Sequence, residues 1–332
     1  MKYFKSFSES LERIGEGDFE EMAIQLFRLQ AAANPVYRAY VEARRLSIHK
    51  VSKLEEIPFL PLSFFKSKQV YCGEIADPNQ FYSSSGTTDQ INSKHYFWSE
   101  EYYLSHAKRI FEQFYGSLTD YHLIALLPSY LERQGSSLVR MADFFIQETK
   151  SNYSGFYLYN HQELVDKLGI LSQLADRKVL LLGVTFALLD LADSGLDFPR
   201  IPGLTVMETG GMKGRRREMI RDEVHDRLKV AFGVGSIHSE YGMTEMMSQL
   251  YSKGGGKYEL PPSVRVLIRD PHDPFAYGHN KTGGINVIDL ANFHSCAFLE
   301  TQDLGRWDEE GRLEILGRFD HSDLRGCNLM VN

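Results

Sequence analysis

The chain has 332 residues, with 37 Lys and Arg against 44 Asp and Glu, a net charge of −7. That acidic balance argues against a nucleic-acid binder; 43% hydrophobic and 24% charged residues are ordinary for one large globular domain or two smaller ones. Cys72, Cys296 and Cys327 give no disulfide framework and suit a reducing, cytoplasmic setting, and the opening MKYFKSFSES has no apolar signal-peptide core.

In the first region, residues 1–79, Phe19, Met22, Ala23, Leu26 and Phe27 recur at helical spacing, and the helix is expected to stop at Asn34-Pro35. The following apolar stretch, Ile57 to Ser67, is broken by Pro58 and Pro61 and should run extended beneath other elements. This region reads as helical and packed on the core.

From residue 80 to 259 the pattern becomes strand–helix alternation. HLIALLPS, KVLLLGV and LTVMETGG read as strands. ELVDKLGILSQLA and RREMIRDEVHDRLKVAF read as helices, the second with Ile220, Val224, Leu228 and Ala231 on one face. The longest apolar run, Val179 to Ala192, is too short to span a bilayer and contains Asp190, so it predicts a buried strand turning into a helix and no integral membrane segment. Such alternation predicts an α/β fold, a mostly parallel sheet flanked by helices. The basic run Lys213 to Arg217 lacks interleaved aromatics and reads as a solvated turn. Past residue 260 the helices vanish. SVRVLIRD, GGINVIDL, CAFLETQDLG and RLEILGRFD predict short strands in a small antiparallel β subdomain spanning residues 260–332.

Chemistry concentrates in a few places. FYSSSGTTDQ, Phe81 to Gln90, sets five hydroxyl side chains around Gly86 just past a strand-like Gln80-Phe81-Tyr82. Ser and Thr compete for backbone groups and make poor helix interior, so the run is a turn. Glycine lets the backbone approach a ligand closely, and successive amides with hydroxyls can cradle a polyphosphate. A surface loop that satisfies only itself is the plainer alternative, and the spacing is not that of a Gly-Lys-Ser/Thr phosphate loop. Further on, Gly210-Gly211 closes a strand. SEYGMTEMMSQ places Tyr241, Thr244 and Glu245 past an apolar run, TQDLGRW sets Asp303 in a turn between strands, and GRFDHSDLRGCN holds Arg318, Asp320 and Cys327. Taken singly, Glu245 could be a cap, Asp303 a turn residue and Arg318 a partner of Asp320.

In this order, SSGTT, YGMTE, T-x-D-L-G and G-R-x-D resemble the adenylate-forming enzymes, the acyl-CoA synthetases, luciferases and their relatives. IPFLPLSFFKS, LLPSYLERQGSSL, METGGMKGR and RGCNLMV are similar to one branch, the acyl-protein synthetases of bacterial luminescence systems. The resemblance runs from about Ile57 onward and implies ATP and Mg2+ as cofactors. It implies that Ser84, Ser85, Gly86, Thr87 and Thr88 hold the β- and γ-phosphates, and that Glu245 binds Mg2+. Thr244 would bond the α-phosphate, Tyr241 with Gly210 and Gly211 would flank adenine, and Asp303 and Arg318 would hold the ribose. A carboxylic acid, by this branch a fatty acid, would be converted to an acyl-adenylate. Its acyl group would then pass to Cys327, whose thiolate Arg325 would favour, and onward to an acyl-accepting protein or reductase.

The sequence also departs from the family. Asp89 stands where a glycine is usual, Asn92-Ser93-Lys94 replaces a Pro-Lys pair, and no lysine follows Asp320. The expectation is that the full carboxyl-terminal domain is missing, with Lys213 or Lys94 substituting for its lysine. Two alternatives stand beside this one: an acyl-CoA or aryl-CoA ligase, and a decayed nucleotide-binding subunit.

Overall fold

Apolar residues at helical spacing begin the molecule. The computed structural model describes residues 2–318 apart from 16, 75–76, 78, 85–90, 128–134, 158–159, 211–218, 272, 274–275 and 279–280. After α1 (Lys2–Leu11) comes α2 (Phe19–Ala33), with Glu20 and Glu21 in its first turn, where the helix dipole favours them. Its stripe is buried through Phe19, Ala23, Leu26 and Phe27, and it ends where expected. The Asn34 side chain accepts from the amides of Val36 and Tyr37 (3.0 and 3.1 Å), capping α3 (Pro35–Ala43), which carries its proline where no amide is needed. The buried Gln30 reaches forward 262 residues, its amide nitrogen donating to the Asn292 carbonyl at 2.9 Å. The Ile57–Ser67 stretch, expected to run extended, does so only in part: β1 (Leu60–Pro61) is strand, but Phe64–Ser67 forms the short helix α4.

The alternating region supplies β2 (Phe81–Ser83), β3 (Lys94–Tyr96), α5 (Glu100–Tyr115), β4 (Tyr121–Leu126), α6 (Ser137–Glu148), β5 (Gly155–Phe156) and α7 (His161–Leu174). It continues with β6 (Lys178–Val184), α8 (Thr185–Ala192), β7 (Leu204–Thr209), α9 (Arg221–Phe232) and β8 (His238–Tyr241). The run from Val179 to Ala192 does turn from strand into helix. A Cβ on Gly183 would lie 2.8 Å from Leu188 Cγ and 3.1 Å from Leu126 Cβ, so only glycine admits α8 this close to β6. Ile220, expected on the apolar face of α9, instead caps it in an extended conformation and is 73% exposed; Val224 and Leu228 are buried.

The strands expected past residue 260 are present: β11 (Val264–Arg269), β12 (Gly283–Asp289), β13 (Phe298–Trp307) and β14 (Leu313–Arg318), preceded by β9 (Leu250–Ser252) and β10 (Lys257–Glu259). They join the parallel strands edge to edge. One sheet runs β11-β12-β13-β14-β10-β9-β8-β7-β6-β4-β5, with β1 alongside β13, while β2 and β3 form a separate pair. Pairing is parallel from β5 to β8 and antiparallel from β8 to β11. The α5–α6 pair covers one face of the parallel half, and α8 with α9 the other. The junction of the two halves lies at β8, and the motif residues collect around it.

Candidate active site

Strand alternation and two hairpin-like ladders position the polar groups at the carboxyl end of the parallel strands, the usual ligand crevice of such sheets. Asp303 does not sit in a turn, as its sequence context suggested. It lies within β13 and pairs directly with Arg318 of β14, because the ladder continues past it through a register shift between Leu304 and Gly305. The Tyr241 hydroxyl donates to Asp303 Oδ2 at 2.7 Å, and Arg318 Nε lies 3.4 Å from Oδ1. The Arg318 side chain is 80% exposed against 12% for Asp303. Its guanidinium is therefore open to a ligand, while the carboxylate is held by the Tyr241 hydroxyl and the Asp303 backbone amide donates to Thr301 Oγ1 at 3.1 Å.

Glu245 is buried beside this group. Burial pushes its carboxyl up from the usual range, and the Ser93 side chain with the charges of Arg318 and Lys66 pulls it back. Ser93 belongs to the far end of the hydroxyl-rich loop. Its amide donates to Ser84 Oγ at 2.9 Å, and the Ser84 amide donates to the Ser93 carbonyl at 3.1 Å, clamping the loop's two ends together. Ser84, Glu245, Arg318, Asp303 and Tyr241 thus converge, although they come from four separated stretches. Ser85, Gly86, Thr87, Thr88, Gly211, Lys213, Asp320 and Cys327 lie outside the described residues. Lys94 carries its ammonium 4.7 Å from the centroid of the Phe81 ring.

Several supporting residues gave no sequence signal. Buried His95 donates from Nδ1 to the Thr244 carbonyl at 2.8 Å, and its Nε2 lies 2.9 Å from Asn292 Oδ1. The Asn292 amide donates to the Glu245 carbonyl at 2.7 Å. These two side chains hold the Thr244–Glu245 backbone from below. Burial lowers His95 to about 4, so the ring is neutral at physiological pH. Thr185, at the start of α8, donates to the Gly210 carbonyl at 2.9 Å and steadies a turn that Gly210 makes at φ 69°. Lys66 is a single lysine in an apolar stretch; its neighbour Phe65 packs edge-on against His95, and the Lys66 charge acts on Glu245.

The donor set fits ATP with a divalent cation. Among the described residues no cluster of three His, Cys, Asp or Glu is placed to hold a metal. A buried carboxylate that supplies one ligand, leaving the remainder to phosphate and water oxygens, matches Mg2+.

No protein-family model matches the chain, and no curated protein matches its sequence. Solved structures do match. 2-Hydroxyisobutyryl-CoA ligase, in an open conformation with 2-HIB-AMP and CoA, superposes on 91% of this chain and 69% of its own at TM-score 0.65 and 16% identity. ATP-bound MatB from Rhodopseudomonas palustris superposes on 72% of this chain and 47% of its own at TM-score 0.52 and 18% identity. The fold is similar to that of the matched parts of these two ligases. At these identities the likeness is one of fold, and the chain spans about two thirds of the first ligase and half of the second. No helix among the described residues is long and apolar enough to cross a membrane.

Proposed function

We propose that the protein activates a carboxylic acid with ATP. A carboxylate oxygen attacks the α-phosphorus, the bond to the bridging oxygen breaks, and acyl-adenylate and pyrophosphate result. The convergence of Glu245 with the clamped Ser84–Ser93 loop ends and with the Arg318–Asp303–Tyr241 group carries this reading. In it, Ser84 to Thr88 receive the β- and γ-phosphates, and Thr244 faces the α-phosphate. Gly210 and Gly211 with Tyr241 flank the base, and Asp303 and Arg318 hold the sugar. Such catalysis rests on alignment and charge neutralisation more than on covalent chemistry. Mg2+, held by Glu245, would neutralise phosphate charge.

The test is carboxylate-dependent exchange between ATP and labelled pyrophosphate across a panel of acids. Exchange is expected with Mg2+ and should fall by about a hundredfold or more in Glu245→Gln. A wild-type protein inert toward every acid, or a Glu245→Gln variant as active as wild type, would overturn the proposal.

For the second half-reaction, the resemblance of the RGCNLMV ending to acyl-protein synthetases supports transfer to the Cys327 thiolate, with loss of AMP. Intact mass after incubation with ATP and an accepted acid should then show a thioester that Cys327→Ser abolishes. The CoA seen with 2-hydroxyisobutyryl-CoA ligase supports free CoA as the competing acceptor. Acyl-CoA formation with an unmodified chain would select it.

A further inference from the structure

On the α5 side of β8, opposite Tyr241, a second carboxyl group stands at the same end of the sheet. Glu240 pairs in register with Thr209 of β7 and Tyr251 of β9, which puts all three on one face. Thr209 Oγ1 donates to Glu240 Oε2. The head of the side chain folds toward the exposed Gly242: a Cβ there would lie 2.6 Å from Glu240 Oε1 and 3.7 Å from Gln249 Cγ. Gln249 and Tyr251 complete the cluster. Glu240, Gln249 and Tyr251 are only 6%, 3% and 1% exposed, yet Gln249 Oε1 and Tyr251 Oη have no hydrogen-bond partner among the described residues.

Buried polar atoms are normally satisfied, and a group of orphans at a strand end calls for an explanation. This group offers a carboxyl and an amide oxygen as acceptors, with a phenol hydroxyl that both accepts and donates. No lysine, arginine or histidine among the described residues acts as counter-ion to Glu240. Core packing does not require such a set. The adjoining aromatic wall of Phe111, Tyr115 and Tyr251 would accept leucine or phenylalanine instead. The missing partner is a donor arriving from outside, past Gly242.

We infer that Glu240, Gln249 and Tyr251 recognise a hydroxyl or amino group on the chain of the activated acid, and thus select a substituted acid over a plain alkanoic one. This rests on the adenylating reading above and narrows the acid from the plain fatty acid that the branch resemblance implied to a substituted one. The acid's carboxylate faces Thr244 and Glu245 beyond the end of β8, and its chain runs back along the α5 side of the strand. A plain hydrocarbon chain would leave Gln249 Oε1 and Tyr251 Oη unpaired and Glu240 with Thr209 alone as donor, the situation in which polar sites reject analogues lacking a donor most strongly.

The experiment is pyrophosphate exchange by the full chain with a series of alkanoic acids, each beside counterparts bearing one hydroxyl or one amino group. At least one substituted acid should exceed its parent in kcat/KM by about a hundredfold. The hydroxyl and amino arms identify which donor is read. In Glu240→Leu and Tyr251→Phe, checked by thermal unfolding for a folded state, that preference should shrink to about tenfold or less. Parent acids as good as every derivative would overturn this inference while leaving the adenylating reading intact. Exchange with no acid of either kind would bring down both.

Discussion

Glu208 and Glu240 occupy neighbouring strands at the same end of one sheet and are equally buried, yet the two faces treat them oppositely. On the α8–α9 face, Thr185 donates to Glu208 Oε2 at 2.7 Å, and His225 Nε2 stands 3.7 Å from Oε1, an ion-pair distance too long for a hydrogen bond. Burial pushes Glu208 up, but His225, Ser239, Thr185 and Arg221 outweigh it and hold the carboxyl below its usual range. On the α5 face, burial pushes Glu240 up to about 7, opposed by Thr209 and reinforced by the charge of Glu208. A buried carboxylate with a donor at 2.7 Å and the Arg221 charge near it is part of the scaffold, although His225 Nε2 and Ser239 Oγ beside it also lack a hydrogen-bond partner among the described residues. One left short of donors is a cost the fold bears, and such costs cluster at functional sites.

The contrast should break first, if it is wrong, at Glu208. Glu208→Gln removes one side of a buried charge arrangement and should cost about 3–5 kcal/mol in urea unfolding. A loss no larger than that of Glu240→Gln would refute the division of roles.

Next in size is a pH effect of Glu240. Its folded value of about 7 lies above the unfolded 4.5, so the folded state binds more protons in between and stability falls as pH rises through that window. The fall amounts to about 3 kcal/mol, complete above about pH 7. Glu240→Gln removes it, so the variant's advantage in unfolding free energy should grow between pH 4 and pH 8. A gap independent of pH would contradict the assignment.

Thr185→Val keeps shape but removes the one hydroxyl proton that Glu208 Oε2 and the Gly210 carbonyl share. About 2 kcal/mol of stability should go, measured by chemical denaturation. Smallest is Tyr251→Phe, which deletes an unpartnered buried hydroxyl and should stabilise the free protein by about 1 kcal/mol in the same assay. A destabilisation of that size would mean the hydroxyl is satisfied after all.

Much of the site was legible without coordinates, for reasons that differ by residue. Tyr241, Glu245, Asp303 and Arg318 stand in short motifs whose order along the chain carries information, and the structure brings them together. The helix of Phe19 to Phe27 and the strand-to-helix run after Val179 were legible because apolar periodicity reports local structure directly. His95, Asn292, Thr185 and Lys66 were not. Each acts through a contact to a segment distant in the chain, and none stands in a pattern that distinguishes it from an ordinary polar residue. Asp303 was misplaced for a related reason. Asp beside Leu-Gly reads locally as a turn, and only the partner strand reveals that the ladder continues through a bulge.

By itself, the amino-acid sequence determined the alternation of strands and helices, the antiparallel strands after residue 260, and the chemistry available at each motif, since these follow from side-chain type and short-range spacing. Tertiary structure decided that the two sets of strands share one sheet, and which polar groups at its end are paired. Adjacent strand residues point to opposite faces, so Tyr241 and Glu240 part company across a single peptide bond, and the helix packed on each face then determines what each side chain meets.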